Sequence, residues 1–286
     1  MSTATVYEII TEKIMDLLEK GIVPWRTRET TPSLPLNFVS KRAYRGINVF
    51  TLKAAGFSSP YWLTFNQAKE LGGHVKKGAK SVPVVFWKVY DTTREDEDGD
   101  EIIEGKKWIA RYYRVFNAEQ VEGVKFPDFN MTYNNHPIEK AEQVWRNMPN
   151  SPKIFLDSPD GAYYSRRDDS VHVPALEKCK NAETFYSTLF HELGHSTGAK
   201  HRLNRSSVAT AHGFGEDEYA QEELVAEMTS AFLTGYCGLD NIVIKDQAHY
   251  IQEWLKVLRN DKKLVVIAGA QAQKAADYIL GVNQEA

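Results

Sequence analysis

Residues 181–198 read NAETFYSTLFHELGHSTG, and the reading of the C-terminal half starts from them. Asn181 is a good helix N-cap, because its side-chain oxygen can accept from the backbone N–H groups that open a helix. Phe185, Leu189 and Phe190 then recur at helical spacing and make an apolar face. Gly198 stands just past the expected end of the helix near His195. A helix turns once in about 3.6 residues, so His191 and His195 point the same way, one turn apart. Two imidazoles so placed can hold one Zn²⁺. Glu192 follows the first of them and is positioned to act as general base on a metal-bound water.

A zinc site of this kind takes three protein ligands and keeps a fourth position open. Two candidates compete for the third. His201, with Gly198 between it and the motif, reproduces the His-Glu-x-x-His-x-x-Gly-x-x-His spacing. The other candidate is the run Glu222-Glu223-Leu224-Val225-Ala226-Glu227, in which Glu223 and Glu227 lie one helical turn apart. Glu223 is preferred as the ligand. Glu227 then accepts a hydrogen bond from a ligand histidine. The His201 alternative would leave both carboxylates unused and needs a methionine turn, yet Met228 lies inside the predicted helix. Glu222 is the weaker choice, since its i+4 position is Ala226. Small Ala226 would let two helices pack closely. Tyr219, His212 and Tyr236 are near enough to serve an oxyanion, but no spacing selects among them.

Outward from the motif, 286 residues allow two domains and a sizeable core. Two cysteines, Cys179 and Cys237, make no disulfide framework and point to a reducing compartment. Residues 1–20 lack the pattern of a secretory signal, and no apolar run reaches the roughly 18 residues of a membrane span. A cytoplasmic protein without a membrane partner is expected. Helical periodicity covers residues 6–20, 48–55, 64–71, 138–147, 217–236, 246–260 and 262–280. Residues 82–90 and 108–116 read as paired strands, with the acidic stretch 91–104 as a solvated loop between them. Residues 170–173 read as a further strand. The fold class is α+β: a basic N-terminal domain of mixed helices and strands with an antiparallel sheet over residues 1–126, a Pro- and Asn-rich linker over 127–136, and a helix-rich domain over 137–286.

The formal net charge of −3 is unevenly divided. Residues 1–90 hold 13 Lys and Arg against 6 Asp and Glu, while the remainder holds 22 against 32. Single-strand binding needs cations for phosphates and flat rings for bases. The run Lys41-Arg42-Ala43-Tyr44-Arg45-Gly46-Ile47-Asn48 offers both, and Trp25-Arg26, Tyr61-Trp62 and Phe86-Trp87-Lys88 repeat the mixture. Lys76, Lys77 and Lys80 flank Gly78 in a basic turn. The candidate DNA-binding residues are Trp25, Arg42, Tyr44, Arg45, Asn48, Trp62, Lys76, Lys77 and Lys80.

The chain resembles the ArdC-type antirestriction proteins of conjugative plasmids, whose N-terminal domain is similar to that of plasmid primases. The matching segments include Pro24-Trp25, Tyr44-Arg45-Gly46-Ile47-Asn48, Trp62-Leu63-Thr64-Phe65-Asn66-Gln67 and Val115-Phe116-Asn117-Ala118-Glu119-Gln120. Later come Asp169 to Pro174, His191 to Gly198, Arg202-Leu203-Asn204-Arg205 and Tyr219 to Glu227. The resemblance implies an N-terminal domain that binds single-stranded DNA without sequence preference and a C-terminal zincin-like metallopeptidase domain. It also implies protection of incoming plasmid DNA from restriction. It does not require a histidine at His201. A protein substrate is the second partner a peptidase site would need. Two rival readings stand beside this one: a DNA-shielding protein with a structural zinc, and an intracellular zinc protease with an accessory nucleic-acid-binding domain.

Overall fold

The structure, a computed structural model, describes residues 5–26, 34–95, 101–127, 137–156, 158–159, 161–205, 217–239 and 247–282. Helix α1 (Val6–Glu19) opens with a capping box in which Thr5 and Glu8 satisfy each other's backbone N–H groups. Its inner face, with Ile10, Ile14 and Leu18, is buried. Strands β1 (Leu36–Asn37) and β2 (Tyr61–Thr64) flank α2 (Ile47–Lys53) in sequence. Thr64 ends β2 and caps α3 (Phe65–Glu70) through a second such box, with Gln67. After β3 (His74–Val75) come the long strands β4 (Val82–Glu95) and β5 (Glu101–Asn117), then β6 (Val121–Glu122). One sheet has the order β1-β2-β5-β4, with β1 and β2 parallel and the other pairs antiparallel; β3 and β6 form a small separate ribbon.

The β4–β5 ladder runs from Val82↔Val115 out to Glu95↔Glu101, with a register shift between Thr92 and Thr93. The expected acidic loop is therefore shorter than residues 91–104, because residues 91–95 and 101–104 are strand. Thr92, Thr93, Ile102 and Ile103 are β-branched and favour extended backbone, so the acidic neighbours are carried along the hairpin. Its tip, 96–100, lies outside the described residues.

The second half begins with α4 (Pro137–Arg146), followed by β7 (Lys153–Phe155), β8 (Tyr163–Ser165) and β9 (Ser170–His172). These strands form a sheet of order β7-β9-β8, with β7 parallel and β8 antiparallel to β9. Helix α5 (Ala182–Ser196) packs on this sheet and on α6 (Asp217–Cys237). The Asn181 side chain accepts from the Thr184 N–H at 3.0 Å and starts α5. A Cβ on Gly194 would lie 3.2 Å from Ala226 Cα and from Thr229 Cβ. The missing side chain lets α5 and α6 approach at the level of the histidines. Helices α7 (Gln247–Asn260) and α8 (Leu264–Ile279) complete the fold, and α8 covers the other side of α6.

One hydrophobic cluster crosses between the halves, from Ile10 and Trp25 to Trp254 and Ile279. Trp25 is 1% exposed, its ring 5.1 Å from Trp254 and 6.3 Å from Phe50. Phe50 in turn lies 4.6 Å from Phe232 on α6. A Cβ on Gly269 would sit 2.9 Å from the Ile47 backbone nitrogen, so α8 and the start of α2 touch backbone to backbone. Arg45 pairs with Asp277 across the same seam. Of the expected linker 127–136, residues 128–136 lie outside the described residues. Among the described residues no helix is long and apolar enough to cross a membrane.

Candidate metal centre

Helix α5 presents His191 and His195 one turn apart, with their Nε2 atoms 3.1 Å from each other. Glu223 on α6 faces both: one carboxylate oxygen is 3.5 Å from His191 Nε2 and the other 3.3 Å from His195 Nε2. One donor atom from each of the three residues falls within 4.8 Å of the others. Behind this trio lie two further carboxylates. Glu227 is 3.7 Å from His191 Nδ1, and Glu222 is 3.5 Å from His195 Nδ1. Each imidazole thus offers Nε2 to the centre and turns Nδ1 to a carboxylate, an arrangement that orients a metal-ligating histidine and makes it more basic. Two nitrogens and a carboxylate oxygen, converging and mostly screened from solvent, are a donor set that fits a divalent metal such as zinc. Glu192, 8% exposed, follows the first histidine on the same helix.

The electrostatics agree with this geometry. Burial by itself would push both imidazoles down, but the facing carboxylates outweigh it. His191 is raised by its hydrogen bond to Glu223, and His195 is raised to about 10 by Glu222 and Glu223. Burial pushes the Glu222 carboxyl up, yet His195 and Arg205 bring it down to about 2. Glu223 is likewise held well below the ordinary carboxylate range by the two histidines, against the effect of burial. Without metal, then, protons and carboxylates neutralise one another here. Loading a metal must release protons.

Arg205 was not among the candidate residues. Its buried guanidinium holds both oxygens of Glu222, at 3.1 and 2.5 Å, and donates to Thr197 Oγ1 and the Gly194 carbonyl at 2.6 and 2.8 Å. It fastens the end of α5 to α6 and fixes the carboxylate behind His195. The sequence signal was weak: Arg205 is one of many arginines, and its partner is 17 positions away. Glu222, read as the weaker ligand alternative, stands behind His195 instead of facing the Nε2 pair. His201 is apart from the trio. Its side chain is 56% exposed and lies 3.2 Å from Asp169, which also holds the buried Arg202 at 2.7 and 2.8 Å.

Four of the candidate DNA-binding residues are interior. Trp25, Tyr44, Asn48 and Trp62 are 1, 4, 6 and 2% exposed. Trp25 and Trp62 fill the core, so neither ring has a face open to a base. Tyr44 lies under Phe86, 6.0 Å away, and its hydroxyl accepts from Asn37. Asn48 donates to the Val85 carbonyl and accepts from the Val85 N–H, both at 2.7 Å. Since β4 is a sheet edge, that side chain satisfies backbone groups that have no strand beyond them. Arg42, Lys76, Lys77 and Lys80 are exposed, and Arg45 is half-exposed beside Asp277. The exposed rings of this part of the chain are others, among them Phe65, Phe86, Trp87, Tyr112 and Tyr113.

Comparison with known proteins bears on both halves. Residues 4–116 match the family described as the N-terminal domain of anti-restriction factor ArdC, and residues 139–271 match the family described as zincin-like metallopeptidase. An uncharacterized protein of Sinorhizobium fredii, y4eC, is 33% identical over 98% of this chain and 93% of its own length. A DNA primase, TraC, of Escherichia coli is 31% identical over 98% of this chain, but the chain spans only 27% of that primase. Two crystal structures of the ArdC antirestriction protein from plasmid R388 share the fold. The metal-free one has a TM-score of 0.74 at 35% identity, with 96% of both chains covered. The Mn(II)-bound one has a TM-score of 0.72 at 32% identity, with 98% of both covered. The likeness runs end to end, through the sheet half and the paired helices that bring His191, His195 and Glu223 together, and the chain therefore belongs to the ArdC family of antirestriction proteins.

Proposed function

We propose that the protein is an antirestriction factor that binds single-stranded DNA through its N-terminal half and holds zinc through His191, His195 and Glu223. The observation that carries the metal reading is the convergence of both Nε2 atoms on one carboxylate, with a second carboxylate behind each ring. Bound zinc supplies a Lewis acid that lowers the pKa of a coordinated water. Glu192, which follows the first histidine on the same helix, would serve as general base toward such a water and as acid toward a leaving amine. Glu227 and Glu222 hold the two imidazoles with Nδ1 turned outward. A peptide is the substrate class this donor set suits. The DNA reading rests on family membership and on the basic excess of residues 1–90, and protection of plasmid DNA from restriction follows from it. The manganese of the R388 relative makes the identity of the metal a quantity to measure.

Elemental analysis of purified chain tests the site. About one zinc per chain is expected in the wild type and in His201→Ala, with loss in His191→Ala and Glu223→Ala. Loss in His201→Ala with retention in Glu223→Ala would overturn the assignment. Glu192→Gln should keep the metal and lose any peptide cleavage, assayed with and without single-stranded DNA. Wild-type cleavage by that variant would assign the base to another group.

A further inference from the structure

Three open grooves share one residue, Trp87, on the edge strand β4, where Phe86 and Trp87 point to opposite faces of the sheet. The first, about 620 Å³, runs over the β4–β5 face past Arg42, Phe86 and Tyr113. The second, about 470 Å³, passes from Arg45 across Phe86 and Trp87 to Gln273 and Lys274 on α8. The third, about 530 Å³, lies between Tyr7, Trp87 and the Lys262-Lys263 turn. Trp87 lines all three, and Tyr44 and Phe86 line the first two. The exposed rings of Phe86, Trp87 and Tyr113 stand along these grooves at 43, 44 and 47% exposure. No aspartate or glutamate lines the first two grooves, although the chain as a whole is acidic; Glu8 and Asp261 line the third. Arg42 and Lys274 are exposed, and neither has a carboxylate partner among the described residues.

We propose that the first two grooves form one track for single-stranded DNA, centred on Trp87, that leaves the sheet half and continues onto α8 of the metallopeptidase half. The proposal rests on the single-strand reading above and gives it a location. Unpaired bases stack on Trp87 and Phe86, and any base serves because each has a flat face. Phosphates meet Arg42 on the sheet side and Lys274 on the helix side, displacing counterions. The absence of carboxylates along the two main grooves removes the repulsion a polyanion would meet elsewhere on this surface. A duplex hides its base faces and cannot use the rings.

The test uses the full chain and a dye-labelled oligothymidylate, with fluorescence anisotropy read over a range of salt. Trp87→Ala should weaken binding about five- to hundredfold and leave the salt slope unchanged. Trp87→Tyr should restore most of the affinity, which separates stacking from misfolding. Lys274→Ala should weaken binding severalfold and flatten the salt slope by about 0.7. Phe155→Ala and Tyr163→Ala, which remove exposed rings on the β7–β9–β8 sheet, should bind as wild type does. Wild-type affinity and slope in Lys274→Ala would confine binding to the sheet half, and wild-type affinity in Trp87→Ala would remove the centre of the track. Equal affinity for duplex, or tighter binding of the matching RNA, would also overturn it. If the wild type binds no single-stranded DNA, the underlying reading fails together with the track; if it binds and neither variant matters, only the track fails.

Discussion

Glu222 and Arg205 stand behind His195 of the candidate metal centre, and neither faces its middle. Both side chains are nearly buried, at 6 and 5% exposure, and a buried ion pair is stable only while both members are present. Removing the guanidinium leaves a carboxylate in the interior beside His195. Arg205→Ala should therefore cost about 3–5 kcal/mol in urea unfolding of the metal-free chain. Glu222→Gln keeps an acceptor but loses the charge behind His195, and zinc affinity measured by chelator competition should fall about 10- to 100-fold. Wild-type zinc affinity in Glu222→Gln would show that Glu222 serves folding only. Affinity for metal should also fall with acid, because each Nε2 must be free of its proton to donate to the metal. At this scale the motif itself was legible: His191, Glu192 and His195 are adjacent in sequence, and helical spacing dictates their common face. Glu222 and Arg205 were not, because their roles depend on a loop that folds back after α5.

Among the elements, α5 is held at both ends. Asn181 starts it, and Arg202 and Arg205 accept its last carbonyls' demand by donating to Ser196 and Gly194 at 2.9 and 2.8 Å. Arg202 also ties the helix to the turn between β8 and β9 through Asp169, which stands in the left-handed region at φ 48°. Burial raises the Asp169 carboxyl, but Arg202 and the Tyr164 hydroxyl outweigh this and hold it below its ordinary value. A carboxylate lowered in the folded state stabilises at pH values above its unfolded pKa of about 3.9 and loses that contribution as pH falls through the folded value. Asp169→Asn should thus cost about 1–2 kcal/mol at pH 7, less than a fully buried pair because the carboxylate is partly solvated. The gap between variant and wild type should shrink by pH 3 in urea titrations. A constant gap would assign the loss to shape and not to charge. Long helices and their caps were readable here. The strands β7 and β8 were not, because their extended backbone depends on pairing with β9 across the sheet.

At the level of the molecule, the division of the sequence into basic residues 1–90 and an acidic remainder does not describe the core. Trp25 from one half lies against Trp254 from the other, inside one hydrophobic cluster. Trp254→Ala should destabilise the whole chain by about 3–5 kcal/mol, and thermal unfolding should remain a single transition followed equally by far- and near-ultraviolet circular dichroism. Two separated transitions, with only the later residues affected, would show that the halves fold independently. The fragment 1–126, which the Pro- and Asn-rich stretch after it marks off as a DNA-binding domain, would expose the faces of α1, Trp25 and Phe50 to water. Its near-ultraviolet signal should be weak beside that of the full chain.

Periodicity and spacing determined by themselves the helices, the α+β class, the histidine pair and the one-turn spacing of Glu223 and Glu227, since each depends on residues within one or two turns of one another. Tertiary structure alone decided which rings are walls and which are surface. Trp25 and Tyr44 have the same sequence signature as Trp87, a ring next to a cation, yet the first two are enclosed and the last is not. An aromatic ring carries both the largest apolar area for a core and the best face for a base. Only the packing of α1, α2 and the C-terminal helices against the sheet assigns each ring to one use or the other.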